Sequence, residues 1–314
     1  LVRCWGRALW GGWLRGGGGV CGWGGVWGCG GGGVGYEPWR EDVCPPVYSY
    51  PAGCDIYDHT FQMPVEECGN MLLMTEAVCM AEGSGEFARP WMDVLEKWAG
   101  YLLRSGSDPG EQLCTDDFAG HLAHNTNLAV KAIMGVEAYA RLLKRVERKE
   151  EAREYRRRAR EMASDWCRRA DAGDHYMLAF GVPDTWSLKY NLVWDKLFGS
   201  GLFGEQVFEK ELAWYAKKAE AYGTPLDSRA SYTKSDWILW CAAMSEDRGQ
   251  MQQMIRPVAD YLENTSSRVP FSDWYDAVTG KYCHFIARSV QGGIFMPLLR
   301  EKMQRTIDFT DFTG

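Results

Sequence analysis

Beyond residue 63 the apolar positions of the chain recur at intervals of three and four, and alternating β-branched runs are scarce. This period predicts helices over 65–82, 87–105, 117–147, 149–171, 187–198, 205–221, 233–246, 250–264 and 290–304. The breaks carry turn residues: Gly83-Ser84-Gly85, Ser107-Asp108-Pro109-Gly110, Gly173, Gly181 with Pro183, Gly223 with Pro225, and Pro270. No long linker interrupts the pattern. The expected class is all-α, built from helical hairpins. Such hairpins, with polar and aromatic residues gathered in the breaks, fit a repeat solenoid or a closed toroid. The segments share no repeat sequence, which favours the toroid, where each connection can specialise at one mouth.

The first residues follow no such period. Residues 1–36 contain sixteen glycines and five tryptophans, and no Asp, Glu, Ser, Thr, Asn or Gln. Trp5, Trp10, Trp13, Trp23 and Trp27 are too apolar for a solvated linker, and nothing in their spacing lets them share a core. The hypothesis is a wrong reading frame through G-rich DNA, so 1–40 is expected to be a non-native or disordered tract and 41–314 the folded domain. Sequencing the gene upstream checks this: the same tract in the correct frame would overturn it. Arg3 and Arg7 stand where a secretory signal would have them, but no apolar run of about seven or more residues follows, so none is expected in this chain.

Composition narrows the partners. With 314 residues, 35 Lys+Arg against 42 Asp+Glu, a net charge of −7 and a sequence pI of about 5.4, the chain lacks the general attraction of a basic protein to nucleic acid or anionic membrane. Mean hydropathy is −0.34, and no window approaches eighteen uninterrupted apolar residues, so no membrane partner is expected either. The stretch 141–169 holds twelve Lys+Arg and six Asp+Glu. Pairs such as Glu154 with Arg158 and Arg157 with Glu161 read as a solvated face, with Tyr139, Leu142, Leu143, Val146, Met162 and Trp166 turned inward. The eleven cysteines show no C-x-x-C and no tight spacing, so neither a zinc site nor a disulfide scaffold is indicated.

Five stretches are too polar or aromatic for mere core: 63–71, 115–127, 186–191, 222–237 and 273–288. Glu66, Glu67, Asp116 and Asp117 sit at expected helix starts, where acids complement the dipole and cap free N–H groups. They can equally serve as acid and base. Neighbouring helical residues diverge by about 100°, so at most one of Glu66 and Glu67, and at most one of Asp116 and Asp117, should face a common pocket. If the two helix mouths adjoin, a carboxylate from each supplies the acid and base of a hydrolase. Asp117, His121 and His124 would share one face of a 117–147 helix, where they form a polar stripe or, on weak spacing, a metal site; the polar stripe, with no metal, is the expectation. In 222–237, Arg229 can grip a carboxylate bidentately and Lys234 can supply a compact positive charge, with Asp227, Ser235 and Asp236 beside them. The plainer reading there is a turn followed by a helix capped by Thr233 or Ser235.

At these same residues the chain resembles the glutaminase A family, through its C-terminal six-helical-hairpin domain. The matching blocks are MPVEECGNM (63–71), TDDFAGHLAHNTNLAVKAIMG (115–135), WSLKYNLVWDKLFG (186–199), YGTPLDSRASYTKSDW (222–237) and SDWYDAVTG with ARSVQGG (272–293). The resemblance implies an (α/α)6 toroid, usually preceded by β-rich domains in a longer extracellular or periplasmic protein, and hydrolysis of glutamine to glutamate and ammonia without a cofactor. Nine helices fall short of twelve, so an N-terminally incomplete toroid is expected. On this reading Glu66 or Glu67, with Asp116 or Asp117, activates water and protonates the leaving ammonia. Arg229 and Lys234 hold the α-carboxylate, with Asp236 adjacent; Asn70 and Asn125 orient the amide, and Trp237 and Trp274 wall the pocket. A glycoside hydrolase acting on a carbohydrate substrate is the alternative, since the same toroid suits opposed carboxylates and aromatic platforms. A third reading is a non-catalytic binding module or inactive fragment.

Overall fold

The computed structural model describes residues 63–306. The tract 1–40, and with it Cys4, Cys21 and Cys29, lies outside them, as do Cys44 and Cys54. The chain divides into two compact units, one ending at Trp166 and the other starting at Cys167.

In the first unit, α1 spans Pro64–Glu82, α2 Met92–Ser105, α3 Thr126–Arg145 and α4 Lys149–Arg169, whose last turn enters the second unit. Pro64 suits the first position of α1, because its fixed φ is helical and its missing N–H would have had no partner. The helix ends at Gly83, which at φ 66° takes the left-handed conformation that closes a final turn. On α3 every residue from Thr126 to Leu143 is buried, so other helices must surround it.

The contacts give the directions. Glu66 pairs with Lys131 and Glu76 with Arg141, matching positions ten apart on both helices, so α1 and α3 run parallel. Gly69 and Gly135 permit their close approach: a Cβ on Gly135 would lie 3.2 Å from the Gly69 Cα and 2.6 Å from Leu102. The intervening α2 is antiparallel to α3, with Leu102 against Gly135 and Gly106 against Ala132. The other neighbour, α4, is also antiparallel: the Trp166 indole donates to the Thr126 carbonyl at 2.8 Å, and Tyr139 meets Tyr155 edge-on at 4.7 Å. Helices α1 and α3 therefore begin at the same end of the unit.

The expected 117–147 helix is shorter than its period suggested. Asp117–Ala119 form one 3-10 turn, Gly120 takes φ 104° and His124 φ 60°, and α3 starts only after Asn125. Asn125 is the better start signal, because its side-chain oxygen accepts from the N–H groups of Asn127 (2.9 Å) and Leu128 (3.0 Å). Asp117, His121 and His124 thus share no helical face: His121 contacts Asp117 at 3.3 Å and Glu111 at 2.9 Å, while His124 contacts Asp108 at 2.7 Å. Among the described residues no group of three or more His, Cys, Asp or Glu is arranged to hold a metal ion. On α4 the solvated face is present, but Glu154 pairs with Arg157 at 2.6 Å rather than with Arg158.

In the second unit α5 spans Val193–Phe198, α6 Glu205–Lys217, α7 Ser235–Ala242, α8 Arg248–Asn264 and α9 Met296–Thr306. Two three-residue strands escape a helical pattern search: β1, Tyr232–Lys234, pairs antiparallel with β2, Trp274–Asp276, placing Lys234 opposite Trp274. The predicted 233–246 helix loses its first residues to β1. Neither Thr233 nor Ser235 caps it. The Thr233 hydroxyl donates to the Thr224 carbonyl at 2.6 Å, and the Ser235 N–H is taken by the Asp273 carbonyl at 3.0 Å. Residues 187–189 are likewise non-helical, and a 3-10 turn, Tyr190–Leu192, leads into α5. No helix among the described residues is long and apolar enough to cross a membrane.

The Glu76 carboxylate receives Arg141 at 3.0 Å and Arg145 at 2.9 Å while fully buried. Removing one partner of a buried ion pair costs about 3–5 kcal/mol, whereas exposed pairs are worth at most about 1 kcal/mol. Urea unfolding should therefore show Glu76→Ala several kcal/mol less stable than wild type, and Arg157→Ala within about 1 kcal/mol of it.

Candidate active site

Because α1 and α3 begin together, the polar residues of both starts gather in one cluster. Glu66 and Glu67 are both buried, at 2% and 4% exposure. Both are enclosed because α1 is buried on all sides over residues 64–69. Glu66 is fully engaged: Lys131 binds Oε1, Asn70 Nδ2 approaches Oε1 at 3.5 Å, and the Thr115 N–H donates to Oε2 at 3.4 Å. Lys131 also donates to Asn70 Oδ1 at 2.8 Å. Gln112 accepts the Val65 N–H at 2.9 Å, so the 107–125 connection folds over the start of α1. The groups around positions 66 and 116 are thereby brought together.

The neighbouring acids differ in what they are free to do. Asp117 accepts the Cys114 N–H at 2.9 Å and faces His121; burial raises its pKa. Burial opposes protonation of His121, but its contacts to Glu111 and Asp117 outweigh that and raise its pKa. Asp116 is buried. Burial, with Asp117 and Asp116 alongside, pushes the Cys114 thiol well up, away from thiolate chemistry. Asn125 is committed to capping α3, and Asn70 to Lys131 and Glu66, so both predicted amide-orienting side chains are spent within the protein.

Glu67 is the exception. Its Oε1 is buried with no hydrogen-bond partner. Burial first, and then the charge of Glu66, push its pKa up to about 7, with Lys131 pulling the other way.

The second unit has a polar cluster of its own. Lys234, fully buried, contacts Asp273 and lies 3.3 Å from Asp236. Arg288 grips Asp273 with Nε at 3.2 Å and Nη2 at 2.6 Å. Burial opposes the Asp273 charge, but Arg288 and Lys234 prevail and lower its pKa; burial and Asp273 raise Asp236 to about 6 against the pull of Lys234. Arg229, predicted to hold a substrate carboxylate, clasps Asp227 instead, at 3.0 and 2.8 Å. Trp237 is stacked flat on Tyr190 at 4.0 Å and is 6% exposed, so its face is covered. Half-buried Trp274 meets Tyr232 edge-on at 5.5 Å and Phe285 at 4.8 Å.

Sequence reasoning missed Lys131, Lys189 and Glu211. Lys189 is fully buried and donates to the carbonyls of Tyr176 and Ser187, both at 3.1 Å, and to the Ser187 hydroxyl at 2.9 Å. Glu211 accepts from Tyr215 at 2.5 Å and from the Tyr176 N–H at 2.8 Å. The available signal was a lone charge inside an apolar run, as in LAVKAIMG: a charge that cannot reach water must find a buried partner.

Glu67 links pH to stability. Folded, it keeps its proton up to about pH 7, against 4.5 for an ordinary glutamate, so between those values the folded state binds more protons than the unfolded one. Its contribution is present below the lower value and lost as pH rises through the upper one, a change of about 3 kcal/mol. Unfolding free energies measured from pH 4 to 8 should thus fall more steeply for wild type than for Glu67→Gln across this window.

Residues 48–298 match the family described as the glutaminase A six helical-hairpin domain. Glutaminase A of Aspergillus oryzae is 35% identical over 247 residues, 76% of this chain, and a probable glutaminase of Arthroderma benhamiae is 27% identical across 82% of it. The chain spans only 35% and 39% of those relatives' lengths. Among solved structures, a wild-type glycosidase superposes with a TM-score of 0.56 at 14% identity, covering 80% of this chain and 68% of that one. Cellobiose 2-epimerase from Bacillus thermoamylovorans gives 0.51 at 10% identity, covering 77% and 72%. At such identities the likeness shows the fold, which is the all-α (α/α)6 toroid class that the family resemblance implies. Matched along most of its length by the family's own pattern and by a relative above 30% identity, this chain belongs to the glutaminase A six helical-hairpin domain family.

Proposed function

We propose that the chain carries the hydrolytic chemistry of a glutaminase, converting L-glutamine and water to L-glutamate and ammonia, with Glu67 as the proton-transfer group and Asp116 as the second acid. The observation that carries this is the buried Oε1 of Glu67, which has no hydrogen-bond partner, in a carboxyl whose pKa burial pushes up to about 7. General acid–base catalysis works best when the group's pKa lies near the operating pH, because both protonation states are then accessible. In the carboxylate form Glu67 takes a proton from water as its oxygen attacks the amide carbon and the C–O bond forms. The carboxylic acid so created returns that proton to the nitrogen as the C–N bond breaks and ammonia leaves. Asp116, buried in the connection folded over the start of α1, can hydrogen-bond the attacking water or the departing nitrogen.

The names of the relatives support the amide reading, although the chain covers little more than a third of their length. The sugar-hydrolase alternative calls for an open aromatic platform, and the stacking of Tyr190 over Trp237 gives it no support at that position. Incubation of the purified chain with glutamine should release ammonia. Glu67→Gln should lower kcat by about 10²–10⁴-fold, and Asp116→Asn should also slow turnover. Hydrolysis of aryl glycosides with no ammonia from glutamine would reverse the assignment.

A further inference from the structure

Three lysines are almost wholly buried in the described residues, and each is satisfied differently. Lys189 is surrounded by carbonyls and a hydroxyl. Lys234 contacts two aspartates, one of which Arg288 also grips. Lys131 binds a single carboxylate, that of Glu66, and the Asn70 amide, while the adjacent Glu67 keeps an oxygen without any hydrogen bond.

The chain makes room for this arrangement. Lys131 lies in the second turn of α3, and its stem passes along α1 where residue 69 is glycine; a Cβ there would stand 2.6 Å from Lys131 Cγ and 3.3 Å from the Lys131 carbonyl oxygen. Gly69 therefore sets where the ammonium arrives. Asn70, one turn after Glu66 on α1, accepts from the ammonium and approaches the same carboxylate oxygen, while the Thr115 N–H holds the other. Three groups, Lys131, Asn70 and the Thr115 N–H, thus hold Glu66 beside Glu67.

We infer that Lys131 is a positioning residue for Glu67: by holding Glu66 as an ion pair in the α1–α3 contact, it fixes the field in which the Glu67 carboxyl takes up and releases its proton. The inference rests on Glu67 being the proton-transfer group of the proposed reaction. Two opposing charges face Glu67 within the cluster. The Glu66 carboxylate favours the protonated form and the Lys131 ammonium the ionised one, and burial adds to the effect of Glu66. Removing one or the other must move Glu67 in opposite directions, whereas a purely structural contact would give the same loss in both cases.

The test uses the full chain with 13C-labelled glutamate carboxyls, titrated by NMR, with the Glu67 resonance identified by its absence in Glu67→Gln. Lys131→Met should raise the Glu67 midpoint by about one pH unit or more, and Glu66→Gln, which keeps the shape of the side chain, should lower it. The acidic limb of the pH–rate profile should shift with each midpoint. If Lys131→Met does not fold, Glu66→Gln alone decides: a lowered midpoint supports the inference and an unmoved one overturns it. Equal loss of activity in both folded variants with an unmoved titration also overturns it. Because the titration needs no turnover, shifted midpoints without ammonia release would leave the positioning role standing and remove only the glutaminase reading. Ammonia release with unmoved midpoints would do the reverse.

Discussion

A charge buried between α1 and α3 must be answered by an opposite charge, and that requirement governs the first unit. Moving an ion out of water costs several kcal/mol even after relaxation, and only a well-placed partner recovers it. Glu66 and Glu76 on one helix meet Lys131 and Arg141 on the other, with Arg145 sharing Glu76. Sliding either helix by one residue would strand all of these groups at once. Hydrophobic contact alone tolerates such slippage, because apolar burial is not directional. The ion pairs thus set the parallel register, and the register in turn places both helix starts at one end, where the acidic residues collect.

Much of this fold could be read from the three-and-four period, and the departures have identifiable physical causes. Helices α1, α4 and α8 lie within a few residues of their expected spans, because each has a long periodic face and a clear start or stop, such as Gly83 after α1 and Asp247 before α8. The error at α3 came from treating Asp117 as a helix start, when Gly120 and His124 carry the chain through positive φ and Asn125 makes the cap. Strands β1 and β2 are three residues each, too short for alternation to register. At the site, the acids stood out as excess polarity in the sequence. Their partners did not: Lys131 lies 65 positions from Glu66, and only the return of the chain through α2 makes them neighbours.

The two lysine-centred clusters show that arrangement, more than charge count, decides which carboxyl holds its proton. In the first unit one ammonium serves two glutamates and bonds only one of them. In the second, Lys234 and Arg288 together match the charge of Asp273 and Asp236, yet Arg288 turns its Nε and Nη2 to Asp273. Asp273 is accordingly held low, while Asp236 remains raised to about 6 despite a lysine 3.3 Å away.

Glu67, Asp195, Glu211 and Asp236 are buried carboxyls outside the loop acids whose pKa values are raised. A raised pKa is a functional sign only where the group is also free to exchange its proton with something other than the protein. Asp195 accepts the N–H groups of Leu202 at 3.1 Å and Phe203 at 3.2 Å, which shape the turn after α5. Glu211 is tied to Tyr215 and to the Tyr176 backbone, and Asp236 sits against Lys234. Glu67 alone of the four combines a pKa near 7 with a buried oxygen that neither donates nor accepts and that no cation contacts. An unmet carboxyl oxygen costs free energy that an apolar residue would have avoided. It lies at the shared start of α1 and α3, beside a glutamate already paired with lysine, and on the proposed reading it belongs to the group that transfers the proton.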